Sequence, residues 1–254
     1  MKNLAALLFD VDGTLADTEK QGHRVAFNQA FAQAGLDWEW SVPIYGQLLA
    51  ITGGKERIRY YMEHYLDVLP AQASDPNFIP GLHAAKTQIY TDLLAQGAIP
   101  LRSGVERLLR EAMQHHIKLG IATTTTPDNV LALIEHTLGP EAISWFEVIA
   151  AGDVVPAKKP APDIYFYAMQ QMKLSAEQCL AFEDSENGLR SARDAGLQTV
   201  ITTNDYTRDH TFKDAILVVD QFGEADQPFT VLQGDADQAQ YFTLDLARQL
   251  HSRS

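Results

Sequence analysis

Four short runs of apolar residues constrain the fold of this chain more than any other feature. They lie at residues 4–9, 119–122, 180–182 and 199–201. Runs of this length are typical of parallel strands that are buried on both faces of a sheet. Amphipathic segments alternate with the later runs, and such alternation indicates crossover connections. The chain is therefore predicted to be an α/β protein with a Rossmann-like, doubly wound parallel sheet.

The amphipathic segments carry start and stop signals of helices. Helices are predicted at residues 103–116, 128–138, 163–172, 185–195 and 241–250. Ser103 is expected to cap the first of them, with Glu106 in the position of a capping box. Gly139 and Gly196 follow the second and the fourth, and glycine commonly ends a helix at that point.

The stretch from residue 18 to residue 97 departs from this alternation. Its apolar residues recur with helical spacing, it has no convincing strand, and Gly35, Gly53-Gly54 and Pro76 divide it. An all-helical block after the first strand of an α/β sheet is interpreted as an inserted cap domain. We therefore expect an α/β core formed by residues 1–17 and 98–254, and a helical cap formed by residues 18–97.

Charge and cysteine content exclude several classes of function. The 254 residues include 20 Lys and Arg against 33 Asp and Glu, which gives a formal net charge of -13. The phosphate backbone would repel such a chain, so no nucleic acid partner is expected. The single cysteine, Cys179, permits no internal disulfide, and residues 4–9 are too few to span a membrane. A cytoplasmic monomer that binds a small molecule is expected.

The strongest chemical signal follows the first apolar run directly. Asp10 and Asp12 are separated by one residue, and Gly13 frees the backbone to turn. In open α/β sheets the ligand site lies beyond the carboxyl ends of the strands. Two carboxylates at that point can share a hard cation while one of them attacks an electrophile. The alternative is an ordinary Asp-Gly turn that ends a strand.

Three further motifs lie near the ends of predicted elements. They are the run Thr123-Thr124-Thr125-Thr126, the pair Lys158-Lys159 before Pro160, and Glu183-Asp184-Ser185. Each motif alone has a structural explanation, such as a solvated lysine pair or a helix cap. Together with the first motif they favour one site, because four such motifs rarely fall at strand ends in this order by chance.

These four ordered motifs resemble those of the haloacid dehalogenase superfamily of phosphotransferases, which also carries a helical cap after the first motif. The resemblance implies that Asp10 is the nucleophile that forms an aspartyl phosphate. Asp12 is then the general acid and later the general base. Thr123 and Lys159 are expected to hold the phosphoryl oxygens. The implied Mg²⁺ ligands are Asp10, the backbone carbonyl of Asp12, Asp184 and Glu183.

Other stretches are similar to the CbbY-type branch of this superfamily, the Calvin-cycle phosphatases that act on xylulose 1,5-bisphosphate. The matching stretches are residues 15–19, 52–58, 83–87, 122–125, 150–153 and 206–208. The resemblance implies a Mg²⁺-dependent phosphatase for a sugar bisphosphate, most specifically one that converts xylulose 1,5-bisphosphate to xylulose 5-phosphate. A bisphosphate needs a second cationic clamp. The implied substrate-binding residues are Glu19, His23, Gly53, Gly54, Lys55, Arg57, Lys86, Thr124 and Thr125.

Relative to that branch, one residue is inserted between Glu19 and His23. On a continuous α-helix the insertion rotates His23 by about 100°, unless a bulge absorbs it. On any one helix, Lys55 and Arg57 are two residues apart and do not face the same point. At least one of these two cations is therefore expected to be solvated.

Alternative functions remain open. Another phosphatase of the same fold would act on phosphoglycolate or a hexose phosphate. A β-phosphoglucomutase-like mutase is disfavoured by Thr126, because such relatives carry lysine there. Dehalogenation needs neither a metal nor a second carboxylate, so Asp12 and the Glu183-Asp184 pair disfavour it. A non-catalytic binding protein would not require buried anions.

Overall fold

One sheet organises the larger part of the molecule in the computed structural model, which describes residues 4–51 and 53–253. Its strands are β1 Ala6–Phe9, β2 Lys118–Ala122, β3 Phe146–Ala150, β4 Cys179–Glu183, β5 Gln198–Thr202, β6 Leu217–Val219 and β7 Val231–Gly234. Their order is β3-β2-β1-β4-β5-β6-β7. All pairs are parallel except β6 with β7. The predicted α/β fold with a doubly wound parallel sheet is confirmed.

Helices occupy much of the chain between these strands and after the last one. Along the chain they are α1 Arg24–Gln33, α2 Val42–Leu48, α3 Gly54–His64, α4 Phe78–Ala95, α5 Val105–Gln114, α6 Pro127–Leu138, α7 Asp163–Met172, α8 Glu186–Asp194 and α9 Leu244–Ser252. A π-helical turn spans Thr18–His23, and short 3-10 helices span Ala71–Ser74, Pro140–Trp145, Gly152–Val154 and Ala176–Gln178. No helix within the described part of the chain has both the length and the hydropathy to cross a bilayer.

All four predicted apolar runs coincide with strands, and the two strands at the centre of the sheet, β1 and β4, are completely buried. Each residue of β1 pairs with one residue of β2 and one of β4. Across the β1–β4 pair, the rings of Phe9 and Phe182 stack with centroids 4.6 Å apart. A central strand that is covered on both faces is apolar throughout, which is why the sequence pattern found these strands.

Three strands escaped the sequence pattern for physical reasons. In β3 the apolar run is interrupted by Glu147, which is exposed. β6 has only three residues, and all four residues of β7 are exposed at the edge of the sheet. β3 and β7 lack the continuous burial that marks the central strands, and β6 is buried but too short to stand out as an apolar run.

Helix starts agree with the sequence at α8 and disagree at α5. The Ser185 hydroxyl accepts a hydrogen bond from the Gly188 amide at 3.2 Å and so caps α8. The predicted Ser103 cap is wrong: α5 begins after Gly104, which has φ +81°, and the Ser103 hydroxyl has no hydrogen-bond partner. A side chain at Gly104 would lie 2.4 Å from the Gly223 carbonyl oxygen, so the backbone path needs glycine there.

The chain forms two compact units. The first, called here the α/β unit, comprises Met1–Asp17 and Pro100–Ser254, and the second, the helical unit, is Thr18–Ile99. The described residues of the helical unit contain no strand. Aromatic rings fill its core: Trp40 is fully buried and lies 4.6 Å from Phe27 and 4.9 Å from Phe31, measured between ring centroids.

Candidate active site

Three carboxylates meet at the carboxyl edge of the sheet. Asp10 follows β1, Glu183 ends β4, and Asp184 comes directly after it. Because β1 and β4 are neighbours in register, with the Asp10 amide donating to the Phe182 carbonyl at 3.0 Å, their ends coincide. Oxygen atoms of the three carboxylates lie within 4.8 Å of one another, and all three residues are buried.

Lys159 neutralises part of this negative charge. Its Nζ lies 2.7 Å from Asp10 Oδ1 and 2.5 Å from Glu183 Oε1. Burial by itself lowers the pKa of a lysine, but the two carboxylates outweigh that effect and hold the pKa of Lys159 above its ordinary value. The two carboxylates therefore favour the charged form of the ammonium beside the predicted nucleophile.

Burial shifts the pKa of the two other carboxylates upwards, the opposite of its effect on a lysine. Burial raises the pKa of Glu183 to about 7, although the nearby Lys159 opposes the rise. Burial also raises the pKa of Asp184 well above its usual range, and the negative charges of Asp10 and Glu183 add to the effect. Buried like charges raise the cost of ionisation until a cation offsets it.

Glycine is required in the loop after β1. Gly13 has φ +90°, and a side chain at this position would lie 2.2 Å from Asp184 Oδ2. The Gly13 amide donates to the Ala16 carbonyl at 2.8 Å, which closes the turn. Asp12 is half-buried within it, two residues after Asp10. The Asp-x-Asp-Gly spacing thus brings the backbone of the first motif against the Glu183-Asp184 motif.

The threonine run follows β2, the strand beside β1. Thr123 is buried, its amide donates to the Ala150 carbonyl at 2.9 Å, and its hydroxyl accepts from the Thr125 amide at 3.3 Å. Thr124 is exposed, whereas Thr125 is half-buried and accepts a long hydrogen bond of 3.5 Å from Asn129. Of these hydroxyls, that of Thr123 is the one held at a buried strand end.

In the helical unit, two predicted binding residues bond to protein groups. The Tyr45 hydroxyl donates to Glu19 Oε2 at 2.5 Å. Arg57 Nε donates to the carbonyls of Leu48 and Ile51, at 3.1 and 3.0 Å. These bonds tie Arg57 to the segment before α3, whereas Lys55 is exposed.

The predicted glycine pair leads into α3. Gly53 has φ +99° and precedes the helix, and a side chain at Gly54 would lie 2.5 Å from His83 Nε2. The backbone at Gly53 therefore favours glycine, and a side chain at Gly54 would have to displace the His83 ring. Thr52, the first residue of this matching stretch, lies outside the described residues.

His23 and Lys86 form a pair in the same unit. Lys86 Nζ lies 2.8 Å from His23 Nδ1, and the His23 ring stacks on Tyr90 with centroids 4.0 Å apart. Lys86 is buried, and its ammonium lies 5.1 Å from the centre of the Phe27 ring. Burial lowers the pKa of His23 well below its ordinary value, and the Lys86 charge lowers it further. The π-helical turn Thr18–His23 provides the bulge that an inserted residue needs.

Three residues that contact the site in the α/β unit lie outside the four motifs predicted from the sequence. Tyr165, in α7, donates its hydroxyl to Glu183 Oε1 at 2.6 Å. Asn204 donates to Asp184 Oδ2 at 2.7 Å, and the Arg102 guanidinium binds the Gly13 carbonyl. Asn204 lies just after β5, so the same search for polar residues at strand ends would have found it. No local pattern distinguishes Tyr165 from a core residue or Arg102 from a surface one.

The donor set fits a hard divalent cation. Carboxylate oxygens are the ligands that Mg²⁺ prefers, and the Asp10, Glu183 and Asp184 oxygens are close enough to share one ion. A cation would also offset the repulsion that raises the pKa of Glu183 and of Asp184. The described residues therefore include a group that is able to bind a metal.

Comparison with known proteins agrees with this geometry. The haloacid dehalogenase-like hydrolase family matches residues 4–196. The CbbY protein of Rhodobacter capsulatus is 51% identical over 212 residues, which is 84% of this chain and 91% of that protein. The plasmid-encoded CbbY protein of Cupriavidus necator is 44% identical over 228 residues, which is 89% of this chain and 88% of that protein.

A solved structure is similar in fold as well as sequence. It is that of CbbY from Rhodobacter sphaeroides, as an aspartate-to-asparagine variant in complex with xylulose-(1,5)bisphosphate. Its TM-score is 0.76 at 45% identity, and the match covers 87% of this chain and 96% of that one. The present chain belongs to the haloacid dehalogenase-like hydrolases, and within that family to the CbbY-type phosphatases.

Proposed function

We propose that this phosphatase depends on Mg²⁺ and removes one phosphate from a sugar bisphosphate through a phosphorylated Asp10. One observation carries the proposal: Lys159 lies 2.7 Å from Asp10 within a group of three buried carboxylates at the carboxyl edge of the sheet. A buried carboxylate beside a fixed cation is suited to attack a phosphoryl group, whose equatorial oxygens need positive charge.

The proposed reaction has two displacements. In the first, a carboxylate oxygen of Asp10 bonds to phosphorus, and the bond from phosphorus to the sugar oxygen breaks. Asp12 gives its proton to that leaving oxygen. In the second, Asp12 takes a proton from water, the water oxygen bonds to phosphorus, and phosphate leaves while Asp10 is regenerated. Lys159 and the Thr123 hydroxyl hold the phosphoryl oxygens in both steps.

Asp10, Glu183, Asp184 and the backbone carbonyl of Asp12 would hold the cation. When bound, Mg²⁺ would supply positive charge to the phosphoryl oxygens and would orient the group for attack. The buried carboxylates supply the oxygen ligands that such an ion requires.

Xylulose 1,5-bisphosphate, converted to xylulose 5-phosphate, is the proposed substrate. The support is the bound ligand in the similar CbbY structure of Rhodobacter sphaeroides. The helical unit also carries its own basic groups, Lys86 and Lys55, which suit a second phosphate. Lys86 is buried beside His23, so its charge is poorly screened by water and can contribute strongly to anion binding.

Phosphate release from a panel of sugar monophosphates and bisphosphates, with and without EDTA, tests the proposal. We expect activity to require Mg²⁺, to be highest with xylulose 1,5-bisphosphate and to be lost in Asp10→Asn, with mass spectrometry to exclude deamidation. Lys159→Ala should lower kcat by at least about 10²-fold, as loss of one electrostatic donor does.

Lys158→Ala is the matched control for Lys159→Ala. Lys158 pairs with the fully exposed Asp153 and not with the buried carboxylates, so most activity should remain. Full activity of Asp10→Asn, or of the wild type in EDTA, would disprove the mechanism. A preference for a monophosphate would remove the substrate assignment and leave the mechanism standing.

A further inference from the structure

Asn204 contacts the cluster of three carboxylates formed by Asp10, Glu183 and Asp184 but is not one of them. It follows β5, and its side-chain nitrogen Nδ2 donates to Asp184 Oδ2 at 2.7 Å. We propose that Asn204 is a positioning residue, which holds one oxygen of Asp184 so that the other is presented to the divalent cation. The inference rests on the metal-binding part of the proposed function.

The orientation of the Asn204 amide follows from its other contact. Asn204 Oδ1 accepts a hydrogen bond from the Tyr206 backbone amide at 2.9 Å, which forms an Asx turn. A backbone N–H can only donate, so the atom facing Tyr206 must be the oxygen. The nitrogen then faces Asp184, and Asp184 Oδ2 accepts the hydrogen bond that it donates.

The loop that carries Asn204 is itself tied down at several points. The backbone amide of Asn204 donates to Thr207 Oγ1 at 3.1 Å, and the backbone amide of Thr203 donates to the Val219 carbonyl at 2.9 Å. Arg102 Nη2 donates to the Thr203 carbonyl at 2.6 Å. Asn204 is therefore held by backbone contacts on both sides.

Arg102 joins this loop to the loop of the first motif. Its Nη1 also donates to the Gly13 carbonyl, and its side chain is only 9% exposed. A side chain at Gly13 would lie 2.5 Å from Asn204 Nδ2, so the two loops are in direct contact. The buried Arg102 guanidinium thus fixes the loop after Asp10 relative to the loop that carries Asn204, whose side chain binds Asp184.

The position of Asp184 needs such support because of its neighbours. Asp10 and Glu183 are negatively charged when ionised, and their repulsion would turn the Asp184 carboxylate away in the absence of a cation. A hydrogen bond from Asn204 opposes that movement and keeps the carboxylate in a binding orientation. Residues that orient metal ligands in this way typically change metal affinity by about 10–100-fold when they are replaced.

Mn²⁺ binding without substrate provides the test, measured on the full chain by electron paramagnetic resonance of the free ion. For Asn204→Ala we expect the dissociation constant for Mn²⁺ to rise by about 10–100-fold. Excess Mg²⁺ should restore kcat in phosphate release. Thr207→Val is the matched control. It removes the hydroxyl that accepts from the backbone amide of Asn204 but keeps the hydrogen bond from the Asn204 side chain to Asp184.

The Thr207→Val protein should lose thermal stability and keep the wild-type dissociation constant. An unchanged constant in Asn204→Ala, or an equal rise in Thr207→Val, would overturn the inference. If Asn204→Ala does not fold, Asn204→Ser replaces it, since serine retains an oxygen for the turn but is too short to reach Asp184. The same rise in the dissociation constant for Mn²⁺ is expected for Asn204→Ser. Wild-type protein that binds no Mn²⁺ or Mg²⁺ would instead refute the metal dependence, and this inference with it.

Discussion

Lys159 illustrates what one residue contributes to a site that is rich in negative charge. Its ammonium contacts both Asp10 and Glu183, and all three side chains are buried. Removing one partner from a buried ion pair commonly costs about 3–5 kcal/mol, because the other charge is left without compensation. The same buried contacts that carry the proposed chemistry therefore also bear on the stability of this edge of the sheet.

His23 provides a prediction for pH dependence at the same scale. Its pKa in the folded protein lies well below the ordinary value of 6.5 because the ring is buried and lies beside Lys86. Below pH 6.5 the unfolded chain therefore binds a proton that the folded chain does not, and stability falls as the pH falls. We expect wild-type protein to lose more unfolding free energy between pH 7 and pH 5 than His23→Gln does.

Urea unfolding at each pH measures this difference, and the His23 proton chemical shift reports the titration directly. His64→Gln, at an exposed position of the same unit, is the control and should show the pH dependence of the wild type. Identical pH dependence of the wild type and His23→Gln, or a His23 resonance that titrates at the ordinary pKa, would contradict the prediction.

At the scale of single elements, the two serines predicted near helix starts have different roles. Ser185 caps α8, whereas the Ser103 hydroxyl is buried without a hydrogen-bond partner beside Gly104. The amino acid type was the same in both places, but the backbone conformation was not. Gly104 adopts the left-handed region immediately before α5, which moves the N-cap of that helix by one residue, from Ser103 to Gly104.

Replacing these serines gives a matched pair of variants. Ser185→Ala should lower the unfolding free energy by about 1 kcal/mol, because the Gly188 amide loses its partner. Ser103→Ala should leave it unchanged or raise it slightly, since the lost hydroxyl has no partner. Urea denaturation in EDTA removes any contribution from bound metal, and an equal loss in both variants would contradict the assignment of the cap.

On the scale of the whole molecule, each of the two units has its own core. The helical unit has its cluster of aromatic rings around Trp40, and the α/β unit has apolar residues on both faces of the sheet. All three carboxylates of the candidate metal site belong to the α/β unit. Metal binding should therefore depend on the integrity of the α/β unit alone.

A substitution in the other unit tests this independence. Trp40→Ala should destabilise the helical unit by about 3–5 kcal/mol, because it leaves a large cavity among packed rings. The dissociation constant for Mn²⁺ should nevertheless stay at the wild-type value. Near-ultraviolet circular dichroism and calorimetry follow the helical unit, and Val68→Ala, at an exposed position, is the control. Loss of Mn²⁺ binding in Trp40→Ala would show that the two units are not independent in this respect.

Sequence patterns predict structure best where one local pattern corresponds to one environment. The centre of the sheet could be predicted because its strands are continuous apolar runs, and α7 because its apolar residues recur with helical spacing. The edge strand β7 could not, because it is exposed and has no buried face to leave a pattern. The motifs at Asp10, Thr123, Lys159 and Glu183-Asp184 were identified by residue type and position near the ends of elements.

The sequence by itself determined four of the strands, the helical segments and the chemical groups available at the carboxyl edge of the sheet. These depend on local periodicity and on residues that are near each other along the chain. Only the tertiary structure decided which partners those groups have, such as Tyr165 on Glu183 and Asn204 on Asp184. These contacts join residues 18 and 20 positions apart. The first depends on where α7 lies against β4 and the second on the pairing of β4 with β5, and no local pattern specifies either.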